Sequence, residues 1–451
     1  MSQEERIGQR IDHLFAEWDY CSSPGAAVAV VREGQIVYRK GYGSASLEYE
    51  HPITPSTIFH VASISKQFTA FAIAMLAVEG KLSLEDDIRR YVSGLPDFGE
   101  ALTFSHLIHH TSGLRDQWEL MKLAGWRLDD VRTQDDVMTL IRHQKALNFK
   151  PGDEIQYCNS GYTLLAEAVK TASGRTLDEY LNEKAFRPLG MNNTHFHSDH
   201  RRIVPNRAYA YTPVESGGYR RYDIQYATIG GTGLFTTAED LAKWMMNYDT
   251  HIAGGPEVMR LMHQCMPLNS GEPTNYAFGL ALREYRGLKV VEHGGTDAGY
   301  RSSFYRFPDQ RFGVIVLANL APFDPEGLAK RIAEIYLADS FLEAAPEAGD
   351  ANEGSVQAHP EDGEDQPVLV GSDAVDGIYY SEELDVVYRL TTAEDSISMV
   401  HRKMEPMMFK ADRVGGFTGP DGTIKLVYEG GRLAGFHYFG HNVRRLWFRR
   451  W

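Results

Sequence analysis

The chain has 451 residues, of which 43% are hydrophobic and 24% are charged, and its formal net charge is −15 at pH 7. These proportions are typical of a globular protein with two or three domains, and the negative charge argues against nucleic acid or an anionic membrane as a partner. No run has the length needed to span a bilayer, and the first residues lack a signal-peptide pattern. Three scattered cysteines, Cys21, Cys158 and Cys265, exclude a disulfide framework. We therefore expect a cytoplasmic protein.

The chain opens with a predicted amphipathic helix. Apolar side chains between residues 4 and 18 fall on one helical stripe, and Pro24-Gly25 ends the pattern. Residues 26–31 and 35–39 then predict two antiparallel strands joined by a turn at Glu33-Gly34.

A strongly helical segment follows at residues 67–79, and Gly80 stands where a helix C-cap is expected. Ser63 and Lys66 lie three residues apart at the start of this helix. Residues at this spacing share a helix face, so the lysine amine can reach the serine hydroxyl. A serine beside an amine that can remove its proton is a candidate nucleophile.

From residue 83 to about residue 189 the pattern is mostly helical, with predicted N-caps at Ser83, Thr133 and Thr176. Strand-like alternation returns after residue 275, and Asp324 followed by Pro325 predicts the start of a closing helix. The predicted strands are residues 277–284, 289–292, 303–307 and 312–318. The order of elements predicts an α+β fold, in which helices flank an antiparallel sheet and an all-helical region is inserted between early and late strands.

The composition changes near residue 343. Residues 343–367 carry acidic side chains with no Lys or Arg between them, and Ala, Gly and Pro fill much of the rest. We interpret this stretch as an acidic flexible linker. Residues 368–451 alternate in short segments across glycine-rich turns, which predicts a small antiparallel β barrel or sandwich.

Two further stretches could carry chemistry. Tyr157-Cys158-Asn159 follows a Pro-Gly loop and leads into a predicted helix, and His293-Gly294-Gly295 ends a predicted strand. Glycines at the end of a strand allow a substrate to approach the backbone closely.

The three stretches, in this order, resemble the Ser-x-x-Lys, Tyr-x-Asn and Lys/His-x-Gly boxes of serine hydrolases related to class C β-lactamases and penicillin-binding proteins, including their esterase and D-aminopeptidase relatives. The resemblance covers roughly residues 20–340 and extends to the C-terminal segment, which looks like the lipocalin-like domain of some relatives. Further matching segments are His110-Thr111-Ser112-Gly113-Leu114, Pro188-Leu189-Gly190-Met191 and residues 231–242.

The resemblance implies a role for each box residue. Ser63 is the expected nucleophile that forms an acyl-enzyme, and Lys66 with Tyr157 is the expected base system. Either Lys66 or Tyr157 could carry the proton, and the sequence leaves this open. Asn159 is expected to orient Lys66 and the substrate amide. The backbone N–H groups of Ser63 and Thr296 are the expected oxyanion hole, and the substrate is expected to lie along His293, Gly294, Gly295 and Thr296.

The third box departs from the Lys-Thr-Gly of relatives that hold a substrate carboxylate. His293 is expected to be mostly neutral near pH 7, and Gly294 has no hydroxyl. This argues against efficient β-lactam hydrolysis and favours the esterase and D-aminopeptidase branches. Glu292 and Asp297, beside this box, are candidate contacts for a substrate amine.

Several histidines are tempting metal ligands but favour a structural interpretation. The segment with His106, His109 and His110 has no recognisable carboxylate or cysteine partner, so no metal is expected there. For His195 and His197 with His200 we expect a solvated loop, and for Cys158 a buried thiol. No cofactor is expected.

Together these observations predict a β-lactamase-like catalytic domain at residues 1–342 with a helical subdomain at about 83–200, the linker at 343–367, and the β domain at 368–451. The predicted function is hydrolysis of small esters or of D-amino-acid amides and short peptides. A non-catalytic sensor and an acyltransferase are the alternatives. The β domain is either a packing or oligomerisation module or a source of loops that restrict substrate size, and homo-oligomerisation stays open.

Overall fold

The computed structural model describes residues 2–223, 225–342, 375–393, 395–412 and 415–451, with Tyr226 described by its backbone alone. The predicted linker at 343–367 lies outside the described residues. The helices are α1 (Gln3–Phe15), α2 (Ser65–Val78), α3 (Phe104–Ile108), α4 (Gln117–Leu123), α5 (Gln134–His143), α6 (Asn159–Ser173), α7 (Leu177–Leu181), α8 (Ala238–Thr250), α9 (Gly255–Leu261) and α10 (Pro325–Tyr336). Three 3₁₀ turns, at Ala16–Trp18, Ala62–Ile64 and Ile88–Arg90, and a π-helical turn at Asn182–Phe186 adjoin them.

The strands fall into an N-terminal part and a C-terminal part. The first holds β1 (Ala26–Arg32), β2 (Gln35–Tyr42), β3 (Ser44–Ser46), β4 (His51–Pro52), β5 (Phe59–His60), β6 (Arg132–Thr133), β7 (His195–Phe196), β8 (Tyr211–Pro213), β9 (Tyr219–Arg221), β10 (Tyr226–Ala227), β11 (Leu234–Thr236), β12 (Ala281–Tyr285), β13 (Leu288–Asp297), β14 (Tyr300–Phe307) and β15 (Phe312–Ala318). The second holds β16 (Gly377–Ser381), β17 (Val386–Ala393), β18 (Ser396–Val400), β19 (Met407–Ala411), β20 (Phe417–Gly419), β21 (Gly422–Glu429), β22 (Arg432–Phe439) and β23 (Leu446–Arg450).

The central sheet has six antiparallel strands in the order β12-β13-β14-β15-β1-β2. One face packs against α1 and α10 through Ile11, Phe15, Leu328 and Ile332. The other face packs against α8 and the helical region. Because both faces are covered, β1 and β15 are apolar at successive positions instead of alternating.

The helical region is built around α2, which is buried from Ser65 to Leu76. It packs against α6, α7 and α9, and α3, α4 and α5 contact α6 in turn. A helix that is buried on nearly every side is usually apolar all round, so a buried polar side chain on α2 is unusual. Lys66 is the charged residue among the buried side chains of α2.

The C-terminal strands close into an eight-stranded antiparallel barrel, in which β16 pairs with both β17 and β23. Alternate side chains of β17, Val386, Tyr388 and Leu390, point inward and are buried. This confirms the predicted barrel and its period-two pattern. Among the described residues, no helix combines the length and apolar character needed to cross a membrane.

Most predicted elements are confirmed. The first helix, the β1–β2 hairpin, the caps at Thr133 and Thr176 and the closing helix after Asp324 are present, and Gly80 after α2 has a φ of 69°. The cap predicted at Ser83 is wrong. Ser83 N–H donates to Asp86 Oδ2 at 2.8 Å and closes a turn, because the next helical turn does not begin until Ile88. The predicted helical region also contains the two-residue strands β6 and β7.

Candidate active site

Ser63 lies in the 3₁₀ turn that joins β5 to α2. The turn is held from behind by Ser65, whose Oγ donates to Ala62 O at 2.5 Å and accepts from Leu234 N–H at 3.0 Å. Ala62 has a φ of 46°, a conformation that a non-glycine residue adopts only when its surroundings impose it. Ser63 therefore faces the cleft from a backbone that packing holds in place.

Lys66 is fully buried in the first turn of α2. Its Nζ lies 3.2 Å from Ser63 Oγ, 2.8 Å from Asn159 Oδ1 and 2.7 Å from Gly231 O. Burial lowers the Lys66 pKa to about 7, and the negative charge of Asp116 opposes part of that shift. A neutral amine has two N–H donors and one lone pair. Asn159 and Gly231 offer the two acceptors, so the lone pair is left for the Ser63 hydroxyl.

Asn159 is the first residue of α6, and Asp116 sets its orientation. Asp116 Oδ2 accepts from Asn159 N at 2.6 Å and from Asn159 Nδ2 at 2.8 Å. Because a carboxylate only accepts, the amide nitrogen must face Asp116 and the amide oxygen must face Lys66. The sequence reasoning missed Asp116. Its visible signal is a helix N-cap for α4, which by itself suggests a purely structural role.

Tyr157 stands in the loop before α6, and its ring lines the cleft with 38% of the residue exposed. Lys66 Nζ lies 4.6 Å from the centre of the ring. His110 packs against the same ring at 4.3 Å, and His110 Nδ1 accepts from Cys158 N–H at 3.1 Å. The phenol ring is thus held beside Lys66 by a buried, neutral imidazole, whose pKa burial lowers well below its usual value.

His293 lies on β13 and is buried between Tyr276 and its own backbone. Gly294 O can only accept, so the contact of 2.6 Å places the proton on His293 Nδ1. Nε2 is then free to accept from the Tyr276 hydroxyl at 2.9 Å. Burial, together with the nearby Lys66, lowers the His293 pKa to about 4. The imidazole is therefore neutral well below pH 7, which extends the expectation from the sequence.

Gly295 lets β13 pass close to the nucleophile turn. A Cβ at Gly295 would lie 2.3 Å from both Val61 O and Ser302 Oγ. At Gly294 the nearest atom to such a Cβ is Ser302 O at 3.7 Å, an ordinary contact. The two glycines of the third box therefore differ. Only Gly295 lies where a larger side chain would clash with its neighbours.

We expect Gly295→Ala to lower kcat on the best substrate by about 10²-fold, because pushing β13 away from the nucleophile turn by even 1 Å disturbs a reacting geometry. Gly294→Ala is the matched control and should retain activity within a few-fold. Steady-state kinetics of both folded variants checks this. Equal effects of the two substitutions would contradict the steric explanation.

These residues share one cleft with a volume of about 2360 Å³. Ser63, Tyr157, Asn159, His293, Gly294, Gly295 and Thr296 all line it. Its opposite wall comes partly from the barrel, through Lys403, Met404, His441 and Asn442. Among the candidate amine contacts, Asp297 lines the cleft, whereas Glu292 pairs with Arg283 at 2.9 Å.

The remaining candidate histidines are the group His106, His109 and His110 and the group His195, His197 and His200. In the part of the chain that the structure describes, no group of three or more His, Cys, Asp or Glu is placed to hold a metal ion. The expected solvated loop at His195 and His197 is wrong, because Phe196 pairs with β11 and draws both rings toward Phe235. His197 is only 4% exposed.

Comparison with known proteins gives three findings. Residues 11–337 match the family model described as Beta-lactamase. A D-aminopeptidase of Cereibacter sphaeroides is 30% identical over 83% of this chain and 70% of its own, and a D-aminopeptidase of Brucella anthropi is 30% identical over 69% and 58%. The chain spans 56% of the length of a further D-aminopeptidase, from Gluconobacter oxydans, which is 29% identical.

Two solved structures share the fold. The octameric penicillin-binding protein homologue from Pyrococcus abyssi has a TM-score of 0.65 and 23% identity over 99% of both chains. The D-amino acid amidase from Ochrobactrum anthropi has a TM-score of 0.61 and 19% identity over 74% of this chain and 99% of its own. At these identities the likeness extends to the fold alone.

Proposed function

This chain belongs to the beta-lactamase family, and we propose that it is a serine hydrolase that cleaves D-aminoacyl amides or short peptides, or small esters, through an acyl-enzyme on Ser63. One observation carries the proposal. Lys66 Nζ lies 3.2 Å from Ser63 Oγ, buried deeply enough that its pKa falls to about 7. A neutral amine at this distance can take the serine proton at physiological pH.

The proposed reaction begins when Ser63 Oγ attacks the substrate carbonyl carbon and its proton passes to Lys66. The negative charge that develops on the carbonyl oxygen is accepted by the backbone N–H groups of Ser63 and Thr296. The tetrahedral intermediate then expels an amine or alcohol, which takes up a proton through Tyr157. Water hydrolyses the acyl-enzyme by the same steps in reverse order. Asn159, held by Asp116, keeps Lys66 directed at Ser63 throughout.

The substrate class rests on three supports. The matched D-aminopeptidases are about 30% identical to this chain. Neutral His293 and the absence of a hydroxyl at Gly294 give no cation or donor for a substrate carboxylate. Asp297 lines the same cleft and could accept from a substrate amine. These features favour an acyl donor with a free amine over a β-lactam.

The barrel adds a wall to the cleft, and we propose that it limits the substrate to small acyl donors. The catalytic unit would comprise residues 1–342, and the β domain would follow the acidic segment. A homo-oligomer stays a prediction, which the shared fold with an octameric homologue supports. The cytoplasmic location stays a prediction as well.

The test is kcat/KM on a panel of short-chain nitrophenyl esters, D- and L-aminoacyl nitroanilides and nitrocefin, with Ser63→Ala as the blank. We expect turnover of D-aminoacyl amides over their L-forms, and nitrocefin to be a poor substrate. Turnover of esters alone would restrict the activity to that of an esterase. Covalent labelling of Ser63 without turnover would overturn the proposal and favour a sensor protein.

A further inference from the structure

A second cavity, of about 120 Å³, lies beside His60, three residues before the nucleophile. Within the described residues it has no lining residue in common with the catalytic cleft. Its volume admits a few water molecules or one small ion, and excludes a peptide. Its polar walls include His60, His197, His200, Arg207, Tyr209 and Arg221.

The charge in this cavity is positive and only partly compensated. Asp223 is the one acidic residue among the described residues of the lining, and it pairs with Arg221 at 2.5 Å and accepts from Ala210 N–H at 2.9 Å. Arg207 lies over the Phe235 ring, 4.9 Å from its centre, and has no carboxylate within ion-pair distance among the described residues. Arg207 Nε is buried and has no hydrogen-bond partner there. Arg221 also lies 3.7 Å from Glu48, a carboxylate outside the cavity lining, so in the described part of the lining Arg207 is the guanidinium group without a direct ion pair.

His197 adds a buried donor. The His197 residue is only 4% exposed, and its Nδ1 has no hydrogen-bond partner among the described atoms. Burial, and then the positive charge of Arg207 and Arg202, lowers the His197 pKa to about 4. The same causes, with Arg202 ahead of Arg207, lower the pKa of the adjacent His195 to about 3. Both rings are therefore neutral, chiefly because burial disfavours the charged imidazolium.

We propose that this cavity binds a small oxyanion, with phosphate or sulfate as the type, between Arg207, Arg221 and His197. Guanidinium groups form short, charge-assisted hydrogen bonds to such oxygens, and a neutral imidazole can donate its Nδ1–H to a third. The anion would supply partners for the Arg207 Nε and His197 Nδ1 atoms that the protein leaves unmatched. The inference does not depend on the proposed catalytic function.

The cavity is one side chain away from the catalytic cleft. His60, which lines the cavity, lies 3.1 Å from Thr232 Oγ1 through its Nε2, and Thr232 lines the cleft. Thr232 Oγ1 donates in turn to Asp297 Oδ2 at 3.4 Å. An anion beside His60 would therefore change the electrostatic potential at Asp297, next to the proposed oxyanion donor Thr296.

The test is isothermal titration of the full chain with inorganic phosphate at constant ionic strength in a zwitterionic buffer. We expect one saturable site in the native protein, and Arg207→Gln to weaken binding by about ten- to a hundredfold, as expected for losing a charged hydrogen-bond donor. Arg201→Gln is the matched control, because Arg201 is exposed on the same segment and pairs with Asp199. Its affinity should be unchanged.

A second variant, His197→Leu, should also weaken phosphate binding while retaining the circular dichroism spectrum, and it serves if Arg207→Gln does not fold. Sulfate should compete with phosphate, and acetate should compete poorly; the reverse order would replace the tetrahedral oxyanion with a carboxylate ligand and overturn the assignment. Absence of saturable binding to the native protein, or equal affinity of the Arg207 and Arg201 variants, would place any bound anion elsewhere and end the proposal.

Discussion

Lys66→Arg is expected to lower kcat/KM by about 10²–10⁴-fold, the range that a positioned general base contributes. Arginine preserves the positive charge on a side chain at least as long as that of lysine, but its guanidinium does not lose a proton in proteins. If Lys66 served only as a fixed cation beside Tyr157, arginine would retain much of the activity. The activity of this variant thus distinguishes between Lys66 and Tyr157 as the proton carrier, a choice that the sequence left open.

The pH dependence of kcat/KM is an independent test of Lys66 as the general base. Because the Lys66 pKa is lowered to about 7, the neutral, active form of the amine increases as pH rises. We expect kcat/KM to rise about tenfold per pH unit well below pH 7 and to level off above it. His293, with a pKa of about 4, should contribute no step near pH 6.5.

Two buried carboxyl groups could produce a step in the same range and provide the controls. Burial raises the pKa of Glu119 and of Glu292 to about 7. Glu119→Gln and Glu292→Gln should each leave the rise of kcat/KM near pH 7 in place. If either substitution removes that rise, or if Lys66→Arg retains it, Lys66 is not the group that titrates.

Arg115→Met is expected to destabilise the docked barrel by about 3–5 kcal/mol, because it leaves a buried carboxylate without its cation. Arg115 is almost fully buried, and its Nη1 lies 2.5 and 2.6 Å from the two carboxylate oxygens of Glu383 in the β16–β17 turn. Its other nitrogens donate to Arg444 O and Arg445 O in the β22–β23 loop. Urea unfolding followed by tryptophan fluorescence measures the change.

The matched control is Lys145→Met, which breaks the exposed pair between Lys145 and Glu382, the neighbour of Glu383. It should change stability little, since exposed ion pairs contribute little. Combining Arg115→Met with Glu383→Met should recover most of the loss, because an apolar pair replaces the ionic one. A loss in the double variant as large as in Arg115→Met alone would contradict this account.

Arg115→Met should also lower catalytic activity, because the next residue in the chain, Asp116, supports the candidate site. Asp116 N–H donates to Asn442 O in the β22–β23 loop at 3.1 Å, and Asp116 holds Asn159. Loosening the barrel therefore removes a support of the Asn159–Lys66 contact. We expect kcat of Arg115→Met to fall and acceptance of bulkier acyl groups to rise, since Met404 and His441 would withdraw from the cleft wall.

The sequence brought the candidate site residues together where short spacing determines geometry. Ser63 and Lys66 meet because they are three residues apart at the start of a helix, and Tyr157 is separated by one residue from Asn159, with which α6 begins. Long-range packing decides the partners that the sequence did not show. Asp116, Tyr276 and the carbonyl of Gly231 reach the site from segments whose spacing carries no sign of contact.

The same distinction explains the errors in the predicted elements. Thr133 and Thr176 cap helices because an apolar stripe follows each of them. Ser83 has the same local pattern, but Asp86 closes a turn with it and the chain turns instead of entering a helix. The segment at His195 and His197 is polar in sequence, yet pairing of β7 with β11 carries it inward and buries the His197 ring.

The placement of β1 between β15 and the edge strand β2 has a consequence for biosynthesis. Ala26–Arg32 leaves the ribosome well before its neighbour β15, and Gly25 N–H donates to an Asn319 side chain 294 positions away. Pairing over such a separation is slow, since a long loop must close first. The nascent β1–β2 hairpin must therefore wait with an apolar edge uncovered while the helical region, rich in local contacts, forms ahead of it. During that wait a chaperone that shields apolar strands would find its substrate at residues 26–31.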